Sequence, residues 1–169
     1  MDGPGSDFVP HIPRLRRYAR ALTGERARAD DLVQDTLERA LIKLHLWQPG
    51  SDLRAWLFTL MHNVFINQLR AQSARFTTGL DDEAAQVAVR PTQTDGLEVR
   101  DLQAVLLRLP EEQREVLLLV GLEQMTYEET AGVLEIPVGT VMSRLSRGRE
   151  RLRALLAGGA MPATLKAVK

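Results

Sequence analysis

Two helix faces carry the residue types that could do chemistry in this chain. Over 140–151, Thr140, Ser143, Arg144, Arg147 and Arg151 recur at helical spacing, with Val141, Leu145 and Leu152 on another stripe. Over 59–70, Thr59, Asn63, Asn67 and Arg70 make a second hydrogen-bonding stripe, with Trp56 close to it. Guanidinium groups bind phosphates and guanine edges, amides bind adenine edges, and aromatic rings stack on exposed bases. The chemistry on offer is therefore recognition of nucleic acid. The plain alternatives are a solvated basic face and asparagines that are merely tolerated, although asparagine is a poor mid-helix residue. Catalytic patterns are missing: there is no phosphate-binding glycine loop, no metal-ligand cluster and no Ser/His/Asp grouping. The three histidines (His11, His45, His62) are dispersed, so neither a metal nor a cofactor is expected.

These faces need helices to present them. Met125–Leu156 reads as a short helix, a tight turn and a longer helix. Thr126 and Glu129 have capping-box spacing, in which the hydroxyl takes an orphan amide and the carboxylate reaches back. Ala131, Val133 and Leu134 supply a brief apolar face, and Pro137 breaks the pattern before it resumes at Thr140. Val141, Leu145, Leu152 and Leu155 or Leu156 fall on one stripe, with Gly148 between them and the arginines expected opposite. A helix-turn-helix with a basic second helix is the shape that enters a DNA major groove.

Composition narrows the class. The 169 residues include few aromatics and few strand-forming runs, which points to an all-α fold. Cysteine is absent, in keeping with a reducing, cytoplasmic setting. No apolar run approaches the ~20 residues of a membrane span, and the N-terminus lacks the features of a signal peptide. Net charge is zero, but it is sorted: arginines crowd the first segment, acids the middle, and glutamates 111–135 precede the final arginine helix. Such sorting suits a protein with several different surfaces.

Three helices are expected in the first half. The first, from about His11 to Leu22, buries Ile12, Leu15, Ala19 and Leu22 opposite Arg16, Arg17 and Arg20. The second, from about Ala29 to Leu46, buries Val33, Leu37, Ala40 and Leu44. Its outer face carries Asp31, Gln34, Asp35 and Glu38, which fit either a solvated face or a docking surface. Trp47–Asp52 is a turn by composition, with Ser51 or Asp52 placed to cap a third helix from about Leu53 to Arg75. That helix points Leu53, Leu57, Leu60, Met61 and Val64 at the core.

Residues 77–100 have no sustained period and read as a flexible acidic linker. Fully extended, about two dozen residues span about 80 Å, more than two DNA turns of ~34–36 Å. Four helices follow, packed through Leu102, Val105, Leu106, Leu109, Val116, Leu117, Leu119 and Val120. The expected architecture is two small helical domains, 8–76 and 101–157, joined by that linker. The second is a four-helix domain containing the helix-turn-helix, and a tail covers 158–169.

Four blocks in this order and spacing, RRYARALTG, ADDLVQDTLERAL, DLRAWLFTLMHNVFINQLR and LPEEQREVLLLVGLEQMTYEETAGVLEIPVGTVMSRLSRGRERLR, resemble the extracytoplasmic-function sigma factors of bacteria. These are the minimal sigma factors, built of regions 2 and 4. The turn WQPGSDLRAWLFTLMHN also looks like the subgroup that directs the general stress response in alphaproteobacteria. The resemblance implies a transcription initiation subunit that binds core RNA polymerase and promoter DNA and performs no catalysis itself. It turns the face of Asp31, Gln34, Asp35 and Glu38 into the segment that docks on the β′ clamp helices, and makes the β flap a second polymerase contact. It assigns Asn63, Asn67 and Arg70, with Trp56, to reading and melting of the −10 element. Trp47, Gln48, Ser51 and Asp52 become a loop that captures a flipped base. Flipping costs a few kcal/mol, offset by roughly 1–3 kcal/mol of stacking per base.

The resemblance makes the arginine helix the −35 reader, with Thr140, Ser143, Arg144, Arg147, Arg149 and Arg151 facing DNA. Met142 and Ser146 stand where many members carry basic or larger side chains, which affects the −35 sequence read rather than the role. It further implies an anti-sigma protein as inhibitor, with the linker letting the two domains close around it. Two rivals make different predictions. A stand-alone helix-turn-helix regulator would bind duplex without polymerase. A helical protein–protein adaptor would show no salt-dependent DNA affinity.

Overall fold

The computed structural model describes residue 3 and residues 5–77 and 97–158. Within these it is helical and contains no strand. A 3-10 segment, Ser6–His11, leads into α1 (Ile12–Thr23), α2 (Arg26–Ile42) and α3 (Leu53–Thr77). After residue 96 come α4 (Leu97–Leu107), α5 (Glu111–Leu117), a π turn over Leu118–Leu122, α6 (Tyr127–Leu134) and α7 (Val138–Leu156). No helix among the described residues is long and apolar enough to cross a membrane.

Local chemistry explains most boundaries. Pro13 sits in the first turn of α1, where a missing amide costs nothing. Gly24 ends α1 in left-handed backbone, φ 74°, donating its amide to the Arg20 carbonyl at 2.9 Å. Asp52 Oδ1 accepts the Ala55 amide at 3.2 Å and so caps α3. Thr126 Oγ1 accepts the Glu129 amide at 3.1 Å, the expected half of a capping box. The other half does not form, because the Glu129 carboxylate goes to Arg54 on α3.

Several expectations are corrected. The second helix stops at Ile42, and Leu44–Leu46 form a separate 3-10 turn. Leu37 and Leu44 are half-buried, while Ala29, Leu32 and Thr36 take the most buried positions. Thr36 is accommodated because its hydroxyl donates to the Leu32 carbonyl at 2.7 Å. On α1, Tyr18 joins the buried stripe and packs edge-on against Phe58, ring centroids 5.2 Å apart. α4 begins at Leu97, inside the stretch read as linker, because the period of Leu102, Val105 and Leu106 continues upstream. The remainder of that stretch, 78–96, and the tail from 159 lie outside the described residues.

The two helical domains are as expected, and they also pack on each other: α3 lies against α6, and α1 against α4, α5 and the π turn, so the buried residues form one cluster. Gly24 shows how close the approach is, since a Cβ there would lie 2.3 Å from Leu107 Cδ1. Gly24→Ala combines that clash with a left-handed backbone unfavourable to any Cβ. It is expected to cost about 1–3 kcal/mol, measured as a shift of the urea unfolding midpoint; a loss below ~0.5 kcal/mol would contradict the close packing.

Candidate nucleic-acid interface

On α7 the core stripe is Val141, Leu145 and Gly148, all buried. A Cβ at Gly148 would lie 3.1 Å from Leu117 Cδ1, so α5 and α7 approach closely there. The side turned away from this stripe carries Met142, Ser143, Ser146, Arg147 and Glu150, all exposed, with Arg149 and Arg153 beside them. Thr140 is half-buried at the leading end, and Ser143 Oγ donates to its carbonyl at 3.2 Å. Arg144 and Arg151 are half-buried flank residues and do not lie opposite the core. The reason is angular: three residues past Val141 is only about 60° round the helix. Arg144 Nη2 lies 3.7 Å from Glu112 Oε2.

Met142, Ser146 and Glu150 lie on this face although none of them is assigned a DNA contact from the sequence, and Met142 is 53% exposed. With Tyr127, Ser146, Arg149 and Arg153 it lines a shallow groove between α6 and α7. The three- and four-residue spacing from Ser143 could have found Ser146, and the angle from the Val141 and Leu145 stripe could have found Met142.

The second stripe lies on α3. Asn67 and Arg70 are exposed, whereas Thr59 and Asn63 are half-buried. The Thr59 hydroxyl is spent on its own helix, donating to the Ala55 carbonyl at 2.8 Å. Trp56 is half-buried and tilts against Phe8, ring centroids 6.4 Å apart. The preceding loop is braced by its own groups: Ser51 Oγ donates to the Gln48 carbonyl at 2.6 Å, and Gly50 supplies the φ of 92° that the turn needs. Gln48, Ser51 and Asp52 are exposed; Trp47 is half-buried, with its indole nitrogen covered and unpartnered among the described residues.

The outer face of α2 presents Asp31, Gln34, Asp35 and Glu38 to solvent. Gln34 Nε2 donates to Glu38 Oε1 at 3.3 Å, and Gln68 of α3 donates to Asp35 Oδ2 at 3.0 Å. Asp35 and Glu38 share one groove with Asn67, Gln68 and Ile42, the last 74% exposed. The acidic face and the amide stripe, which are separate in sequence, meet along that groove.

A fourth cluster went unnoticed in the sequence. Arg17 Nη2 lies 3.2 Å from Glu123 Oε1, Arg54 Nη2 3.0 Å from Glu129 Oε2, and His62 Nδ1 2.7 Å from Glu115 Oε1. Arg54 Nη1 also donates to the Glu123 carbonyl at 3.2 Å, and Arg114 Nη1 to the Leu22 carbonyl at 2.9 Å. Each contact crosses from one half of the chain to the other. Tyr18 lies among them; burial, then the Glu115 and Glu123 carboxylates, push its phenol well above the ordinary tyrosine range, so it stays neutral.

Comparison with known proteins gives these faces a setting. Residues 8–62 match the family described as the Sigma2 domain of PhyR, and residues 100–152 match Sigma-70, region 4. The ECF RNA polymerase sigma factor EcfG of Rhodopseudomonas palustris is 41% identical over 155 residues, covering 92% of this chain and 86% of the relative.

The chain is an extracytoplasmic-function sigma factor.

The sigma factor SigM of Bacillus subtilis is 30% identical over 88% of this chain and 91% of its own length. Among solved structures, the sigma factor RpoE of Bartonella quintana, in complex with the anti-sigma factor NepR, is 36% identical with a TM-score of 0.80. That match covers 89% of this chain and 94% of the other. CnrH, solved with the cytosolic domain of CnrY, matches at 28% identity and TM-score 0.69, over 92% and 88% of the two chains. In this sigma factor α1–α3 hold the region 2 match, and α4–α7 the region 4 match. Its activity is to direct promoter-specific initiation by RNA polymerase.

Proposed function

We propose a division of labour between the two regions. The exposed row Asp31, Gln34, Asp35 and Glu38 docks on the β′ clamp helices of core polymerase. The Trp47–Asp52 loop with Trp56, Asn63, Asn67 and Arg70 reads and opens the −10 element. Thr140, Ser143, Arg147 and Arg149 anchor α7 at −35, with Arg144 and Arg151 along its flank, while region 4 also meets the β flap. A flipped base captured by the braced loop would be held by stacking, and bond-making stays in the polymerase.

The observation that carries this reading is the shared groove between α2 and α3. Acidic side chains for a protein partner and amides suited to base edges lie side by side there, so polymerase docking and strand opening occupy adjacent edges of one domain. The likeness to a sigma factor solved with NepR supports restraint by an anti-sigma protein of the NepR kind, and the turn WQPGSDLRAWLFTLMHN is what favours a general-stress-response role.

The test is reconstitution with bacterial core polymerase on a promoter pool, with run-off transcripts as the readout. Transcripts that depend on the chain are expected; their absence, together with failure to co-purify with core, would rule the reading out. Asp35→Arg places a like charge against a basic docking partner, which costs several kcal/mol. It is expected to weaken core binding at least about tenfold while leaving −35 duplex binding intact. Equal damage to both would contradict the assigned division.

A further inference from the structure

Of the large apolar side chains left exposed among the described residues, Met142 is the one in the leading half of α7. About half of its surface stays in water, although every other outward position of this helix is polar or charged. Ser143 follows it and Ser146 lies one turn further on, both exposed, and neither is long enough to cover it. Arg149 and Arg153 continue the same stripe, and Tyr127 and Leu145 complete the groove that this stripe lines. The core of α7 does not need Met142, since Val141, Leu145 and Gly148 already fill the buried side.

A thioether is only a weak hydrogen-bond acceptor and donates nothing, so it cannot sort the polar edges of bases. The major groove offers such a side chain one apolar group, the C5-methyl of thymine. The residues that reach base edges lie towards the N-terminal end of an inserted helix, and Met142 is in the second turn of α7. Its unbranched chain adapts to the position of a small apolar partner. The two serines beside it are small enough to let a base edge approach, while Arg149 and Arg153 lie along the flank, where phosphates would pass.

We propose that Met142 is a specificity-determining residue that reads one thymine of the −35 element through its C5-methyl group. Methionine and methyl leave water together, so the contact favours thymine over any base that lacks the group. This inference rests on the assignment of α7 to the −35 element and adds to it one base and the chemical group by which it is read.

Deoxyuridine tests the contact, because it differs from thymidine only by that methyl. Holoenzyme formed from the full chain and bacterial core polymerase is titrated with fragments carrying the −35 element of a promoter that it transcribes. Each thymine of the element, on both strands, is replaced in turn by deoxyuridine. One replacement is expected to weaken wild-type binding roughly three- to fivefold, the worth of one methyl-sized group withdrawn from water. Met142→Ala should bind the thymine and deoxyuridine fragments alike. Met142→Leu should keep most of the discrimination, whereas Met142→Gln, of similar length but polar, should lose it. The dependence on salt should be the same in all of them, since no phosphate contact is removed.

A deoxyuridine penalty that persisted in Met142→Ala would overturn the proposal, because another side chain would then read the methyl. Wild-type preference for the native −35 element over a shuffled one is measured alongside. Preference retained with no deoxyuridine penalty at any position would defeat the methyl contact alone. Preference absent would defeat the placement of α7 at −35 on which it rests.

Discussion

Arg114→Ala is expected to lower the stability of the chain by about 3–5 kcal/mol, because several buried acceptors lose their donor at roughly 1–3 kcal/mol each. The side chain is buried, and four of its five N–H donors go to backbone carbonyls. Nε donates to Leu106 at 2.9 Å, Nη1 to Leu22 at 2.9 Å, and Nη2 to Leu107 at 3.0 Å and Leu109 at 2.8 Å. Three of these carbonyls lie at or just past the C-terminal end of α4, where the last turn leaves acceptors without intrahelical donors. The fourth belongs to the end of α1, so one cation closes two helix ends and ties the halves together. Burial lowers the Arg114 pKa, opposed chiefly by the Glu111 and Glu115 carboxylates, but a guanidinium stays charged in a protein.

Alanine would strand four acceptors at once, against a total stability of about 5–15 kcal/mol for a typical domain. Arg114→Lys should recover only part of the loss, because one ammonium cannot reproduce a planar fork spanning four carbonyls. Urea unfolding of the full chain gives the answer. A loss below ~1 kcal/mol for alanine, or full recovery by lysine, would mean that water or repacking takes over the role.

Arg147→Ala is expected to weaken binding to a −35 duplex by about 1–3 kcal/mol, the usual worth of a bidentate base contact. Arg147 is exposed on the side of α7 turned away from the core and makes no ion pair among the described residues. Its whole hydrogen-bonding capacity is therefore free for DNA. Arg144 differs. It is half-buried on the flank and near Glu112, so Arg144→Ala should cost less, under about 1 kcal/mol, with the flank position as the main reason since the exposed carboxylate is screened and competes little. Anisotropy titrations of a cognate and a mismatched duplex separate the cases. Loss confined to the cognate duplex marks base reading, whereas uniform loss marks a phosphate contact. If Arg144→Ala proved the more damaging, outward presentation on α7 would not be the criterion that selects its DNA contacts.

The helices and their outward faces were legible because they follow from local rules. A 3.6-residue period placed Leu15, Ala19 and Leu22 inside α1 and left Asp31, Gln34, Asp35 and Glu38 on the surface of α2, as found. Pro137 and the Thr126 hydroxyl marked the start of α7 and of α6 for equally local reasons. Errors arose where a local rule met a distant partner. Glu129 had the spacing to complete its capping box, but Arg54, 75 residues away, offers a charge-assisted bond to the same carboxylate. Arg144 is a different case, since the local period itself, counted from Val141 and Leu145, turns it to the flank.

By itself, the sequence determined an all-α chain, the order of its helices, the basic face of α7, the acidic face of α2 and the resemblance that carried the family. All of these depend on residues within a few turns of one another or on blocks read in order. Only the tertiary structure decided that the buried residues of the two halves form one cluster, that Tyr18 belongs to it, and that Arg17 meets Glu123 across 106 residues and His62 meets Glu115 across 53. In sequence the glutamates of 111–135 are only a run of charge ahead of the arginine helix. Which of them are buried against region 2 depends on how α1 and α3 approach α5 and α6, and no periodicity along one helix records the position of another.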